Sequence, residues 1–166
     1  QMLKMLRWAN CHVTAVELDK NKFEACLEHG ADICVDAGSN NAHEALLDAS
    51  GGGFDVVIDF VSSTKSLEMA VDSLGRGGRL LTLGGGGGGG SDFKLNGMTL
   101  LSKEIEVMGS RYCSYQEVLE SLQLVGEQAD KGLMPLVTRT SGFEGLEDIH
   151  NDVEHSRITG RAALIL

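Results

Sequence analysis

An α/β fold, a doubly wound parallel sheet, is what this sequence predicts, and two observations carry the prediction. The first is the stretch from Phe54 to Gly84, FDVVIDFVSSTKSLEMAVDSLGRGGRLLTLG, which reads as strand, loop, helix, turn and strand. The second is the alternation of short valine- and isoleucine-bearing runs with helical periods on the amino-terminal side of that stretch. Residues 54 to 61 have the apolar character of a strand buried on both faces, and Ser62, Ser63 and Thr64 supply helix-capping side chains. Leu67, Ala70, Val71 and Leu74 then fall on one helical face, and Gly75, Gly77 and Gly78 interrupt it before Arg79 to Leu83 turn apolar again. Such a βαβ unit implies parallel strands joined by a right-handed crossover. Ligands of open parallel sheets bind beyond the carboxyl ends of the strands, which directs attention to Phe60–Ser63 and Leu83–Gly85.

The other elements follow in chain order. Met2, Met5, Leu6 and Ala9 share a helical face, so the chain is expected to start within an element whose beginning lies upstream. HVTAVELD, residues 12 to 19, predicts a short strand with Glu17 at its carboxyl end. Phe23, Cys26 and Leu27 mark a helix closed by Gly30, and ADICVDA predicts another strand. Ala42, Ala45, Leu46 and Ala49 set a helix over 39–50 that ends at Gly51–Gly53. Seven glycines, Gly84 to Gly90, form the low-complexity segment, with the composition of a linker or loop. Beyond it, Met98–Ser102 suggests a helical turn, and EIEVMGS alternates like a strand. Ser114 and Glu117 have capping-box spacing ahead of a helix with Val118, Leu119, Leu122 and Val125 on one face. A strand at 136–140, a helix through Leu146, Ile149 and Val153, and a strand at 161–166 complete the chain. With no internal repeat and no second hydrophobic block, residues 1–166 are expected to form one domain.

Composition narrows the function. A formal net charge of -10, from 24 acidic and 14 basic side chains, disfavours a nucleic-acid or anionic-membrane surface. No apolar run approaches the roughly 20 residues of a membrane span. Cys11, Cys26, Cys34 and Cys113 are scattered without metal-ligand spacing and read as isolated reduced thiols of a cytoplasmic protein. The five histidines are dispersed as well, so no metal is assigned. Asp55 and Asp59 share a strand face but stand about 13 Å apart, too far for joint acid/base work. Asp59 reads instead as a residue that orients the following loop.

A strand ending in an acid, one crossover from a glycine-rich turn, is the arrangement that hydrogen-bonds an adenosine ribose in dinucleotide-binding sheets. Glu17 answers to that description, although a solvated acid at a strand end answers to it equally well. A carboxylate there favours NAD over NADP, a preference that the neighbouring Lys20 and Lys22 blur. The Gly-x-Gly-x-x-Gly fingerprint itself does not occur in the sequence. Five segments, AVELDKNKFEACLEHGADICVDA, FDVVIDFVSSTKSLEMAVDSLGRGGRLLTLG, KEIEVMGS, PLVTRT and ITGRAALIL, nonetheless run in one order through nearly the whole chain. Together they resemble the carboxyl-terminal half of the medium-chain dehydrogenases/reductases, the zinc-dependent alcohol dehydrogenase family.

The resemblance implies a Rossmann domain that lacks its first strand and glycine fingerprint, from a chain that transfers a hydride between NAD, or NADP, and an alcohol or carbonyl substrate. It implies that Glu17 holds the adenosine ribose and Lys22 lies along the adenine. Val61 and Ser62 would pass beside the cofactor, Leu83, Gly84 and Gly85 with Ser110 and Tyr112 would face the nicotinamide, and Arg161 would reach the pyrophosphate. No catalytic residue is assigned. Catalytic zinc and the small-molecule substrate would belong to an absent amino-terminal domain, and a second copy would join through the edge strand at 104–109. The chain departs from the family at Ser62, where a glycine is usual, and in the seven-glycine run. Because the missing strand is central in the order 3-2-1-4-5-6, its loss is expected to leave two unpaired inner edges and a chain inactive alone. Two other readings compete. One is an S-adenosylmethionine-dependent methyltransferase, whose later motifs FDVVI and LGRGGRLL resemble; the other is a non-catalytic interaction fragment.

Overall fold

The strands of the computed structural model are all paired in parallel, and it describes residues 1–84 and 92–166. Gly85, one of the expected cofactor contacts, lies outside the described residues, as do Gly86–Gly90 of the glycine run. The chain divides into two compact units, one formed by Gly38–Cys113 and the other by Gln1–Ala37 with Ser114–Leu166.

The unit at Gly38–Cys113 contains the βαβ element. Its elements are α3 (Ala42–Ser50), β3 (Phe54–Asp59), α4 (Thr64–Ser73), β4 (Leu74–Thr82), α5 (Gly97–Lys103) and β5 (Glu106–Gly109). The strands form a three-stranded sheet in the order β3-β4-β5. The predicted helical face becomes the core: Leu67, Ala70, Val71, Leu74 and Leu80 pack together, with Val57, Phe93, Leu95 and Ile105 against them. Leu80 is wholly buried and Leu74 is 1% exposed, and burial of such a side chain contributes roughly 1.5–3 kcal/mol.

The glycines after α4 act differently from the sequence expectation. They do not separate the helix from a strand starting at Arg79, because the strand begins at Leu74 and carries them as an irregularity. Phe54 pairs with Leu74 and Val56 with Arg79, so β4 inserts extra residues opposite β3. A Cβ on Gly53 would collide with the backbone of Gly75, so the turn ahead of β3 requires glycine at that point. The Lys103 ammonium donates to the carbonyls of Asp72 (3.0 Å) and Leu74 (2.8 Å), satisfying acceptors left over at the end of α4.

The other unit contains α1 (Met2–Trp8), β1 (Thr14–Glu17), α2 (Phe23–Glu28), β2 (Ile33–Asp36), α6 (Tyr115–Glu127), β6 (Val137–Ser141), α7 (Leu146–Glu154) and β7 (Arg161–Leu164). β1 pairs with β2 and β6 with β7, each as a two-stranded sheet. Gly30 closes α2 with φ +124, and a Cβ there would meet the Leu3 carbonyl oxygen at 2.6 Å, so α1 can lie tightly on this turn. The Gln1 side chain donates to the Leu133 carbonyl and Lys4 to that of Met134, which fastens α1 to the segment after α6. Leu133 is 1% exposed.

Among the described residues, β1 has a partner only in β2 and β3 only in β4. Each therefore presents one edge without a ladder. Val118, Leu119 and Leu122, expected to pack as the apolar face of α6, are exposed instead. No helix among the described residues is long and apolar enough to cross a membrane.

Candidate functional site

The expected contacts fall into two groups, one in each unit. Glu17, Lys22 and Arg161 come from β1, the turn that opens α2, and the start of β7. All three line one cleft of about 470 Å³, together with Cys26, His29 and Thr159. That volume is within the range of small-ligand sites and has room for a nucleoside-sized group. Glu17 is half-buried at the end of its strand. Its Oε1 accepts from the amides of Leu18 (2.8 Å) and Asp19 (3.0 Å), which fixes the carboxylate and leaves Oε2 as the oxygen for an external donor. The Asp19 side chain accepts from the Asn21 amide at 3.0 Å, initiating the helical turn that brings Lys22 to the cleft.

Lys20, weighed with Lys22 as a blurring cation, is paired with Asp36 at 2.8 Å. The hydrogen bond to Asp36 and its charge raise the Lys20 pKa above its ordinary value. Sequence reasoning passed over Asp36, yet ADICVDA signals it in the same way that HVTAVELD signals Glu17, as an acid that ends an apolar run.

The cysteines are corrected in part. All four are free, but Cys26 on α2 and Cys34 on β2 lie close enough for each to influence the titration of the other. Burial, then the neighbouring Cys26, pushes the Cys34 thiol up to about 11, and burial also raises Cys26. The pair was illegible because packing, and no sequence spacing, brings it together.

The second group clusters at the carboxyl ends of β3 and β4. Asp59, 7% exposed, accepts at Oδ1 from the amides of Val61 (2.7 Å) and Ser62 (3.2 Å), and at Oδ2 from the Ser66 hydroxyl (2.8 Å). It thus orients the loop, as its position at the strand end suggested. Ser62 has φ +55, a left-handed conformation that glycine adopts without strain, which gives a physical reason for the glycine usual there. Its hydroxyl hydrogen-bonds that of Thr82 at 2.6 Å. The Leu83 amide donates to the Asp59 carbonyl at 2.8 Å, bringing the ends of the two strands together. A Cβ on Gly84 would lie 2.5 Å from the Phe60 carbonyl oxygen and 2.8 Å from the Ser62 hydroxyl, so only glycine permits this approach. The Ser110 amide donates to the Thr82 carbonyl at 3.0 Å, placing Ser110 beside the end of β4. Tyr112 is 84% exposed with φ +63, and the Arg111 guanidinium lies 4.8 Å from its ring centroid.

Parallel strands with a cleft at the carboxyl end of β1 have the geometry of a nucleotide-binding α/β protein. Comparison with known proteins sharpens that class. The pattern of the zinc-binding dehydrogenase family matches residues 2–127, and the chain belongs to that family, as the cofactor-binding carboxyl-terminal part of a medium-chain dehydrogenase/reductase. It is 26% identical over 154 residues to the NAD-dependent alcohol dehydrogenase of Sulfurisphaera tokodaii, covering 92% of this chain and 43% of that protein. An alcohol dehydrogenase of Rhizobium meliloti is 28% identical over 155 residues, with 93% and 43% covered. The crystal structure of the alcohol dehydrogenase from the archaeon Aeropyrum pernix superimposes with a TM-score of 0.81 at 25% identity, covering 99% of this chain and 46% of that one. The chain therefore spans less than half the length of these relatives. Among the described residues, no three His, Cys, Asp or Glu side chains are grouped to hold a metal ion.

Proposed function

We propose that the chain is the dinucleotide-binding part of an NAD-dependent alcohol or polyol dehydrogenase, which moves a hydride between the nicotinamide and a small alcohol or carbonyl substrate. The observation that carries this reading is the convergence of Glu17, Lys22 and Arg161 on one cleft at the end of a parallel strand. Glu17 Oε2 accepts from the ribose hydroxyls, Lys22 lies along the adenine, and Arg161 neutralises pyrophosphate charge. At the other group, Asp59 holds the backbone of Val61 and Ser62 in place. Leu83 and Gly84, with Ser110 and Tyr112, face the nicotinamide. When bound, the nicotinamide supplies the carbon that accepts or donates hydride. The substrate and any catalytic zinc belong to another part of the protein, and a second copy adds to the exposed edge of β5.

Titration with NADH, read by energy transfer from Trp8 and by thermal shift, tests the reading. Saturable NADH binding is expected, and Glu17→Ala should weaken it about 10- to 100-fold, as loss of a charge-assisted hydrogen bond does. Preferential binding of S-adenosylmethionine would replace the proposal with a methyltransferase. Undiminished affinity in the Glu17→Ala variant would remove Glu17 from the site.

A further inference from the structure

Both strands of the β1–β2 sheet end in an acid, and the register makes Glu17 and Asp36 direct partners. Partners on adjacent strands lie about 4.8 Å apart and share a face of the sheet, so the two acidic side chains leave neighbouring strand ends on the same face, with Glu17 lining the cleft. Like charges so placed repel unless a cation intervenes. Lys20 pairs with one of the two, its Nζ 2.8 Å from Asp36 Oδ2. The Asp36 side chain is 21% exposed and that of Lys20 73%, so the ammonium reaches back from solvent to the carboxylate.

The consequence concerns the phosphate that distinguishes NADP from NAD. A 2′-phosphate brings close to two negative charges to the ribose held by Glu17 and requires a cation there. Lys20 lies three residues beyond Glu17, but its charge is already committed to Asp36. We propose that Asp36 is a positioning residue for cofactor selectivity: by holding Lys20 and setting a second carboxylate beside Glu17, it excludes a 2′-phosphorylated adenosine. The inference rests on the reading of Glu17 as the ribose acceptor. It goes further by assigning the choice between the two nucleotides to a residue on the neighbouring strand, acting through a lysine.

Direct titration of the full chain with NADH and with NADPH tests it in four proteins: the unaltered chain, Asp36→Asn, Asp36→Glu, and Asp36→Asn combined with Lys20→Met. The unaltered chain should prefer NADH. Asp36→Asn should bind NADPH about tenfold more tightly while its NADH affinity stays within about twofold, because one negative charge is gone and Lys20 is released. Asp36→Glu keeps the pairing and should keep the original preference. The double variant should lose the gain in NADPH affinity. An unchanged NADPH to NADH ratio in Asp36→Asn overturns the inference, as does equal weakening of both nucleotides, the mark of a structural role. A gain that persists without Lys20 overturns the positioning role. If the unaltered chain binds neither nucleotide, the Glu17 site itself fails, an outcome distinct from intact NADH binding with unaltered selectivity.

Discussion

Cys34 is held as a thiol by burial, and its pKa of about 11 sets how it reacts. At pH 7.5 the thiolate is about a hundredfold scarcer than for an unperturbed cysteine, and the greater nucleophilicity of a more basic thiolate recovers about tenfold. Alkylation by iodoacetamide should therefore be at least about tenfold slower at Cys34 than at the exposed Cys11 and Cys113, as peptide mapping over time would measure. Equal rates would mean that Cys34 is not buried as described. The same shift links stability to pH. Between the ordinary value of 9.0 and about 11 the unfolded chain releases this proton while the folded chain retains it, so stability falls as pH rises through that window. Other residues divide by how local their cause is. Glu17 and Asp59 were legible because an acid closing an apolar run is a sequence pattern with a structural meaning. Gly84 carries no such pattern within a run of glycines, and only the approach to Phe60 shows why it must lack a side chain.

At the level of elements, the helices were legible where local chemistry decides them. Ser114 and Glu117 form the reciprocal capping box that their spacing indicates, and hydrogen bonds from Ser114 hold the Glu117 carboxyl below the usual range. α4 starts in a box of another composition, in which the Ser63 hydroxyl accepts from the Ser66 amide while the Ser66 hydroxyl accepts from the Ser63 amide. Ser66 also donates to Asp59, so this cap joins the helix to the end of β3. Ser63→Ala should lower unfolding stability by about 1 kcal/mol, measured by urea denaturation. A change below about 0.3 kcal/mol would show that solvent replaces the cap. Sequence was a poorer guide to what each face covers. Periodicity gave α6 an apolar stripe but could not tell that Leu122 is 66% exposed, because covering a stripe depends on residues remote in the chain. The start of β4 was likewise misplaced, since glycines that end a helix and glycines that bulge a strand have the same composition.

For the whole molecule, the parallel topology followed from the order of strand and helix runs, because a crossover helix between two strands admits few alternatives. The division into units was not legible, since no linker composition or change in hydrophobicity marks Ala37 or Ser114. The unit holding the cleft is discontinuous in sequence, with Gly38–Cys113 set between its two parts. This predicts an order of folding. In pulse-labelling hydrogen exchange, amides of α4 and β4 should gain protection before those of α1, whose contacts with Leu133 and Met134 span 132 and 130 residues. Earlier protection of α1 would refute that order.

During synthesis the same discontinuity becomes a delay. At the usual pace of translation, roughly 6 to 25 s separate the emergence of Ala37 from that of Arg161. Glu17 and Lys22 leave the ribosome with their strand but wait for more than a hundred further residues before Arg161 can close their cleft. A nascent chain can therefore complete the core around Leu80 while still lacking the full cleft, and a premature stop before residue 161 would leave that core encoded and remove the cleft's arginine.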